Sequence, residues 1–239
     1  MNLHRTTLAA LACLALVAAA GERGGAQDAP QADSSGKYVY ADFESEKDGR
    51  PLSSRGGLVQ IIHYQEHDSS PARFKGLANS NPPAPELVRL KPDDPNHAVA
   101  FDFELPPPNG YAGVGVEVQG EAWKDGKPVA VDLSGYKEVS LQVFAKGQNF
   151  NTMRLEITAR GQGLGDPNSY PQATFKVQPG FNTYKIPLKS LTQPQWAQPR
   201  VAVKDVLKKS TAVSVTAFCE GGCKMTSGTV VIDNIVFQN

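Results

Sequence analysis

His63-Tyr64-Gln65-Glu66-His67 is the string in this chain with the most overt chemistry. It fits H-x-x-E-H, in which two imidazoles on one helical turn hold a zinc ion and the glutamate works on the bound water. That geometry needs a helix. Here the string follows Leu58-Val59-Gln60-Ile61-Ile62, which reads as a strand, and runs into Asp68-Ser69-Ser70-Pro71. His63 and His67 therefore read as an exposed strand end. His97 is the other histidine beyond the N-terminal region, so a hydrolase triad has few possible members. Ser134-Gly135-Tyr136-Lys137 fits S-x-x-K, but a lysine-activated serine needs a helix, and this stretch is a turn entering a strand. Gly161-Gln162-Gly163-Leu164-Gly165 opens no βαβ unit and is no nucleotide loop. Asp102 with Glu104, or Glu117 with Glu121, have the residue types for glycoside cleavage if they face a groove. Outward carboxylates on strands are ordinarily just solvated.

Cys219 and Cys223 carry a different chemistry. Residues 1–20 read as an export signal, with His4 and Arg5 as a cationic start and an apolar run from Leu8 to Ala20. Ala18-Ala19-Ala20 follows as a small-x-small cleavage pattern. Cleavage takes Cys13 with it and directs the product to the periplasm or the medium. An exported chain whose remaining cysteines stand four apart predicts a disulfide, with Gly221-Gly222 letting the backbone turn between them. Half of a zinc site would need further Cys or His nearby, and none is close.

The elements that must position these residues have period two. Residues 21–36 are rich in Gly, Ala, Gln, Asp and Ser without periodicity and read as a flexible tether. From Lys37 the pattern alternates. Val39, Ala41 and Phe43 share one parity, as do Val99, Phe101, Phe103 and Leu105, then Val114, Val116 and Val118, then Leu141 and Val143. Met153, Leu155 and Ile157 follow, then Ala173, Phe175 and Val177, then Tyr184, Ile186 and Leu188, then Val213, Val215 and Ala217, and a last run from Thr229 to Phe237. Each set predicts a half-buried strand. Pro106-Pro107-Pro108-Asn109-Gly110, Lys124-Asp125-Gly126-Lys127, Lys146-Gly147 and Pro179-Gly180 mark turns between them. Val201 to Lys209 is the one stretch suited to a short helix or turn. Residues 37–239 thus predict one all-β domain, an antiparallel β-sandwich.

Charge narrows the functions. Lys+Arg 24 balance Asp+Glu 24, so the 239-residue chain has formal net charge +0. It lacks the basic footprint of a nucleic-acid binder and the polybasic face of a membrane-surface protein. No apolar run after the N-terminus is long enough to span a bilayer.

Three stretches together carry a resemblance: Asp132-Leu133-Ser134-Gly135-Tyr136-Lys137-Glu138-Val139-Ser140-Leu141; Tyr184-Lys185-Ile186-Pro187-Leu188-Lys189-Ser190-Leu191-Thr192-Gln193-Pro194-Gln195-Trp196; and Gly228-Thr229-Val230-Val231-Ile232-Asp233-Asn234-Ile235. In this order they resemble the galactose-binding-like jelly rolls, in particular carbohydrate-binding modules of family 11 and the complex I intermediate-associated (CIA) type domains. The resemblance covers about residues 98–239 and the first strand; residues 53–96 match nothing in it. It implies a jelly roll. It also implies a structural calcium held by Glu44, after Phe43 in the first strand, and Asp233 in the last, hard oxygens where the chain's two ends meet. Asp233 capping a turn or pairing with a lysine is the alternative.

A glycan binder needs an aromatic platform for the C–H face of a sugar and polar groups for its hydroxyls. The aromatics in exposed strand or loop contexts are Tyr64, Tyr111, Trp123, Phe150, Tyr170 and Trp196. Trp123, in the polar loop Glu121-Ala122-Trp123-Lys124-Asp125, is the foremost platform candidate. Trp196 either meets ligand or packs over the sandwich edge, and Tyr111 begins a strand. Gln142, Arg154 and Glu156 share outward parity and are expected to line one concave face from adjacent strands. The expectation is an exported, noncatalytic module for a polysaccharide or other glycan. A CIA-type domain binding another protein and a glycoside-active enzyme are the alternatives.

Overall fold

A computed structural model describes residues 35–65, 72–73, 84–118, 123–124, 127–219 and 223–239; for 65, 72–73, 123–124 and 127–128 the backbone alone is described. The strands are β1 (Lys37–Ala41), β2 (Glu46–Lys47), β3 (Arg50–Pro51), β4 (Val59–Gln65), β5 (Ala72–Arg73), β6 (Glu86–Arg89), β7 (His97–Leu105) and β8 (Gly110–Glu117). They continue as β9 (Trp123–Lys124), β10 (Lys127–Pro128), β11 (Glu138–Gln148), β12 (Thr152–Thr158), β13 (Gln172–Lys176), β14 (Gly180–Pro187), β15 (Ala212–Cys219) and β16 (Thr226–Gln238). One short helix, α1 (Val203–Lys208), falls inside the stretch the sequence marks for it and buries Val206 and Leu207. Among the described residues no helix is long and apolar enough to cross a membrane. The proposed signal lies outside the described residues, as does nearly all of the tether.

Apart from the two-residue pairs β2–β3 and β9–β10, the strands form two antiparallel sheets. One runs β14-β11-β16-β7-β5, with β1 on the C-terminal half of β16 and β6 on β7. The other is five-stranded, β13-β12-β15-β8-β4. Their inner faces form the core. Val139, Leu141, Val143, Phe101, Phe103, Val230 and Ile232 from the first meet Met153, Leu155, Ile157, Val114, Val116, Val213 and Val215 from the second, none more than 2% exposed. Burying each side chain of this size is worth about 1.5–3 kcal/mol, so the alternation read along the chain is what drives the layers together. The architecture is the expected β-sandwich.

The first strand corrects its expected parity. Val39 points out at 38% exposed, while Tyr38 and Tyr40 point in at 7% and 1%. A bulge between Val39 and Ala41 then shifts the register against β16, and Phe43 takes a positive φ of 58°, so Ala41 and Phe43 are buried as well. A tyrosine can occupy the core because its hydroxyl finds an acceptor: Tyr40 Oη donates to the Val116 carbonyl at 2.8 Å. Tyr170 is a core ring, and Phe150 is a half-buried ring packed against the core. Phe150 packs edge-on to Phe103 with centroids 4.8 Å apart, and Tyr170 is 1% exposed.

Two enzyme-like strings are used structurally. His63 lies exposed on β4, a strand, so no helical turn carries it; His67 lies outside the described residues. The Ser134 backbone N and hydroxyl both donate to Asp132 Oδ1, at 2.8 and 2.6 Å, which forms the turn before β11.

Candidate functional site

The outer face of the five-stranded sheet carries a groove, and strand register organises it in rows. The first row crosses three strands as Tyr64, Tyr111 and Phe218. The next is Ile62, Gly113, Thr216, Arg154 and Thr174, and the third is Gln60, Gly115, Ser214, Glu156 and Gln172. Beyond it lie Glu117, Ala212 and Thr158. Rows are separated by two residues, about 6.8 Å. The face therefore grades from aromatic to polar along the strands.

Its floor is bare. Tyr111-Ala112-Gly113-Val114-Gly115-Val116-Glu117 buries Ala112, Val114 and Val116, which leaves two successive outward positions of β8 without a side chain. A Cβ on Gly113 would come within 2.1 Å of the Val215 carbonyl oxygen, so a side chain here would force the backbone of β15 to shift. A glycine strip in mid-strand marks a place where something approaches the backbone closely.

Two adjoining hollows lie on this floor, about 250 Å³ and about 310 Å³, and share Tyr111, Arg154 and Trp196. Tyr64 stacks on Tyr111 at 5.8 Å between centroids, with planes 28° apart. The Arg154 guanidinium sits 4.9 Å from the Tyr111 ring centre and 5.7 Å from that of Phe218, attracted by both ring faces. Trp196 enters from the 192–201 loop and is 62% exposed. It does not pack over the sandwich edge; it stands at the groove wall.

The polar end has unspent hydrogen-bonding capacity. Glu117 Oε2, Arg154 Nε and Thr216 Oγ1 are buried without a hydrogen-bond partner among the described residues. Such atoms cost roughly 1–3 kcal/mol each unless something pairs with them. Gln60 Nε2 reaches the other Glu117 oxygen at 3.4 Å. Burial pushes the Glu117 carboxyl up, against the pull of the Arg50 charge. Burial likewise raises the Glu156 carboxyl, countered by Arg154 and by the Ser169 hydroxyl, which donates to Glu156 Oε2 at 3.3 Å. Tyr111 is raised chiefly by burial too.

Of the residues the sequence nominates, Tyr111, Trp196, Arg154 and Glu156 meet in this groove. Gln142 does not. It lies on β11, in the other sheet, opposite Thr183 and Asp233. β11 and β12 are consecutive, but the chain crosses between sheets at Asn149, whose φ is 54°. Equal outward parity on the two strands therefore puts Gln142 and Arg154 on opposite sides of the molecule. Trp123 pairs through its backbone with Pro128 in a two-residue strand; its side chain lies outside the described residues, as does Glu121. The sequence reading missed Phe218, the glycine floor and the β15 hydroxyls of Ser214 and Thr216. The outward Tyr-x-Gly-x-Gly-x-Glu spacing of β8 was the available signal.

Cys219 and Cys223 form the expected disulfide, with Cα atoms 5.6 Å apart, and Cys219 borders the aromatic end of the groove. Gly221 and Gly222 lie outside the described residues.

Glu44 and Asp233 are brought to one place. Glu44 Oε1 accepts from the His97 backbone N at 2.8 Å, and Asp233 Oδ2 accepts from Asn96 Nδ2 at 2.9 Å. Asp233 is 1% exposed, and burial pushes its carboxyl up despite the donors from Asn96 and Asn234, with the charges of Glu44 and Asp42 acting the same way. This gathering of acidic oxygens suits a hard cation in its chemistry. Among the described residues no group of three or more His, Cys, Asp or Glu is arranged to hold a metal, so backbone carbonyls would have to complete the shell.

No family model matches the chain, and no curated protein matches it. Solved structures do. The chain is similar to the family 11 carbohydrate-binding module from Clostridium thermocellum in complex with a beta-1,3-1,4-mixed-linked tetrasaccharide, with TM-score 0.53 and 15% identity over 85% of this chain and 96% of that one. It is also similar to the family 11 module of the cellulosomal cellulase Lic26A-Cel5E of Clostridium thermocellum, with TM-score 0.52 and 15% identity over 85% of this chain and 95% of that one. Together with the two-sheet topology, this likeness establishes the fold as the β-sandwich jelly roll of the family 11 carbohydrate-binding modules.

Proposed function

We propose that this chain is an exported, noncatalytic carbohydrate-binding protein that seats a glycan chain in the groove of the five-stranded sheet. The observation that carries the reading is the pairing of an exposed aromatic wall, Tyr64 and Trp196, with unpartnered buried polar atoms of Glu117, Arg154 and Thr216. A sugar has both faces to offer: C–H surfaces for the rings, hydroxyls that donate to Glu117 and accept from Arg154. Charge in the groove is matched, with Arg154 and Arg160 acting on Glu156 and Arg50 on Glu117. A neutral, hydroxyl-rich ligand suits this balance better than an ionic one. The similar module's complex with a beta-1,3-1,4-mixed-linked tetrasaccharide makes a polysaccharide of mixed linkage the first probe.

Affinity electrophoresis of the purified chain through gels containing mixed-linkage β-glucan, xylan, pectin or alginate tests the reading. Retardation by a neutral polysaccharide is expected; migration unchanged in every gel abandons it. New reducing ends released by the wild type and not by Glu156→Gln would move the protein to the glycoside-active class.

We propose in addition that Glu44 and Asp233 hold a structural calcium with neighbouring backbone carbonyls. Its role would be to neutralise the acidic cluster where the first and last strands pair.

A further inference from the structure

Trp196 is the most exposed aromatic of the groove, yet the backbone beneath it is tied down on both sides. Gln193, three residues before it, is 7% exposed and does not line the groove. Its amide is fully used. Nε2 donates to the Ser169 carbonyl at 3.0 Å and to the Pro199 carbonyl at 2.9 Å, and Oε1 accepts from the Val201 backbone N at 2.9 Å. Arg200 closes the same loop, with Nη1 donating to the Pro194 carbonyl and Nη2 to the Gln193 carbonyl at 3.3 Å. Gln198 and Asn168 add a reciprocal pair: the Gln198 backbone N donates to Asn168 Oδ1 at 3.0 Å, and the Asn168 backbone N to the Gln198 carbonyl at 3.1 Å.

The loop is thus bonded to the 168–169 segment, and Ser169 is the residue whose hydroxyl holds Glu156. One continuous chain of hydrogen bonds runs from Glu156 through Ser169 and Gln193 to the backbone carrying Trp196. The aromatic wall and the polar row come from segments far apart in sequence, and this network is what sets their separation. We infer that Gln193, assisted by Arg200, is a positioning residue that never meets the ligand and holds the Trp196 ring at a fixed distance from Glu156. The inference deepens the carbohydrate reading and rests on it for its binding arm only.

The test separates the two. Phe at position 123 leaves Trp196 as the one tryptophan of the two in the chain, so fluorescence anisotropy decay reports that ring alone. In the Trp123→Phe background, Gln193→Ala and Arg200→Ala are each expected to add a nanosecond decay of Trp196 that the background lacks, while cooperative melting persists. With Trp123 retained, each substitution is expected to weaken polysaccharide retention by about fivefold, one net hydrogen bond's worth. Should Gln193→Ala fail to fold, Arg200→Ala decides, because Arg200 is exposed and its guanidinium donates to two carbonyls of this loop. Anisotropy unchanged in the folded variants overturns the inference, whatever retention does. If the wild type is retained by no polysaccharide, the carbohydrate reading falls, and the anisotropy decay still judges the clamp.

Discussion

An indole left 62% exposed gives up most of the stabilisation that burial would bring, so its removal should cost the fold almost nothing. Trp196→Ala is therefore expected to leave the melting temperature unchanged and to weaken retention by up to about tenfold, the loss of one ring-on-sugar contact. Equal retention of variant and wild type would remove Trp196 from the site. Glu156 makes the opposite kind of prediction. Its carboxyl is raised by burial, so the folded state prefers the protonated form. Stability associated with it is present below the ordinary value of about 4.5 and is lost as the pH rises through the higher folded value. Relative to Glu156→Gln, the wild type should lose stability as the pH is raised above about 4.5; melting temperatures of the two that run parallel as the pH rises from there would refute this. Both residues were visible in the sequence as an outward acid and a loop aromatic. The burial that raises the Glu156 carboxyl and the exposure of Trp196 were not, because both depend on residues such as Asn168 and Ser169 supplied by another segment.

Strand β8 shows what an element contributes that its residues do not. Gly113 and Gly115 have the same outward parity and the same residue type, yet they face different surroundings. A methyl on Gly113 meets the backbone of β15, with Thr216 Cα 2.6 Å away, and is expected to destabilise the protein by about 1–3 kcal/mol. A methyl on Gly115 meets Ile62 Cγ2 at 3.3 Å and Ser214 Oγ at 3.8 Å, a tight but yielding environment. Gly115→Ala should hold or slightly raise the melting temperature and reduce glycan retention by raising the floor. Unchanged retention with Gly115→Ala would mean that the ligand does not reach this strip. The elements themselves were legible: alternation located the principal strands, and the helix falls in the one stretch, Val201 to Lys209, read as a short helix or turn. The exception is β1, where a bulge and two inward tyrosines, one of them bonded through its hydroxyl to the Val116 carbonyl, reverse the parity that Val39, Ala41 and Phe43 advertise.

At the scale of the molecule, β16 is the strand that joins everything. Its first half pairs with β7 and its last residues with β1, and the exchange happens at Asp233-Asn234, where Asn234 takes a φ of 50°. A cation at this junction would bind the folded state alone. If calcium is held there, removing it with a chelator should lower the melting temperature by about 5–10 °C for a site saturated a hundredfold over its dissociation constant, with recovery on adding calcium back. Asp233→Asn should abolish that sensitivity. A wild type indifferent to chelator dismisses the site.

Alternation along the chain settled which side chains go inward, and with it the sandwich, because burial of apolar surface is a local pattern summed over many strands. The disulfide was equally readable, since its partners are four residues apart. Assembly of the groove was not local. Whether an outward residue joins the groove depends on which sheet its strand enters, and Gln142 and Arg154 part company at a single left-handed Asn149. Trp196, Tyr64 and Glu156 became neighbours through pairing partners and a buried glutamine amide, long-range contacts that spacing along the chain does not encode.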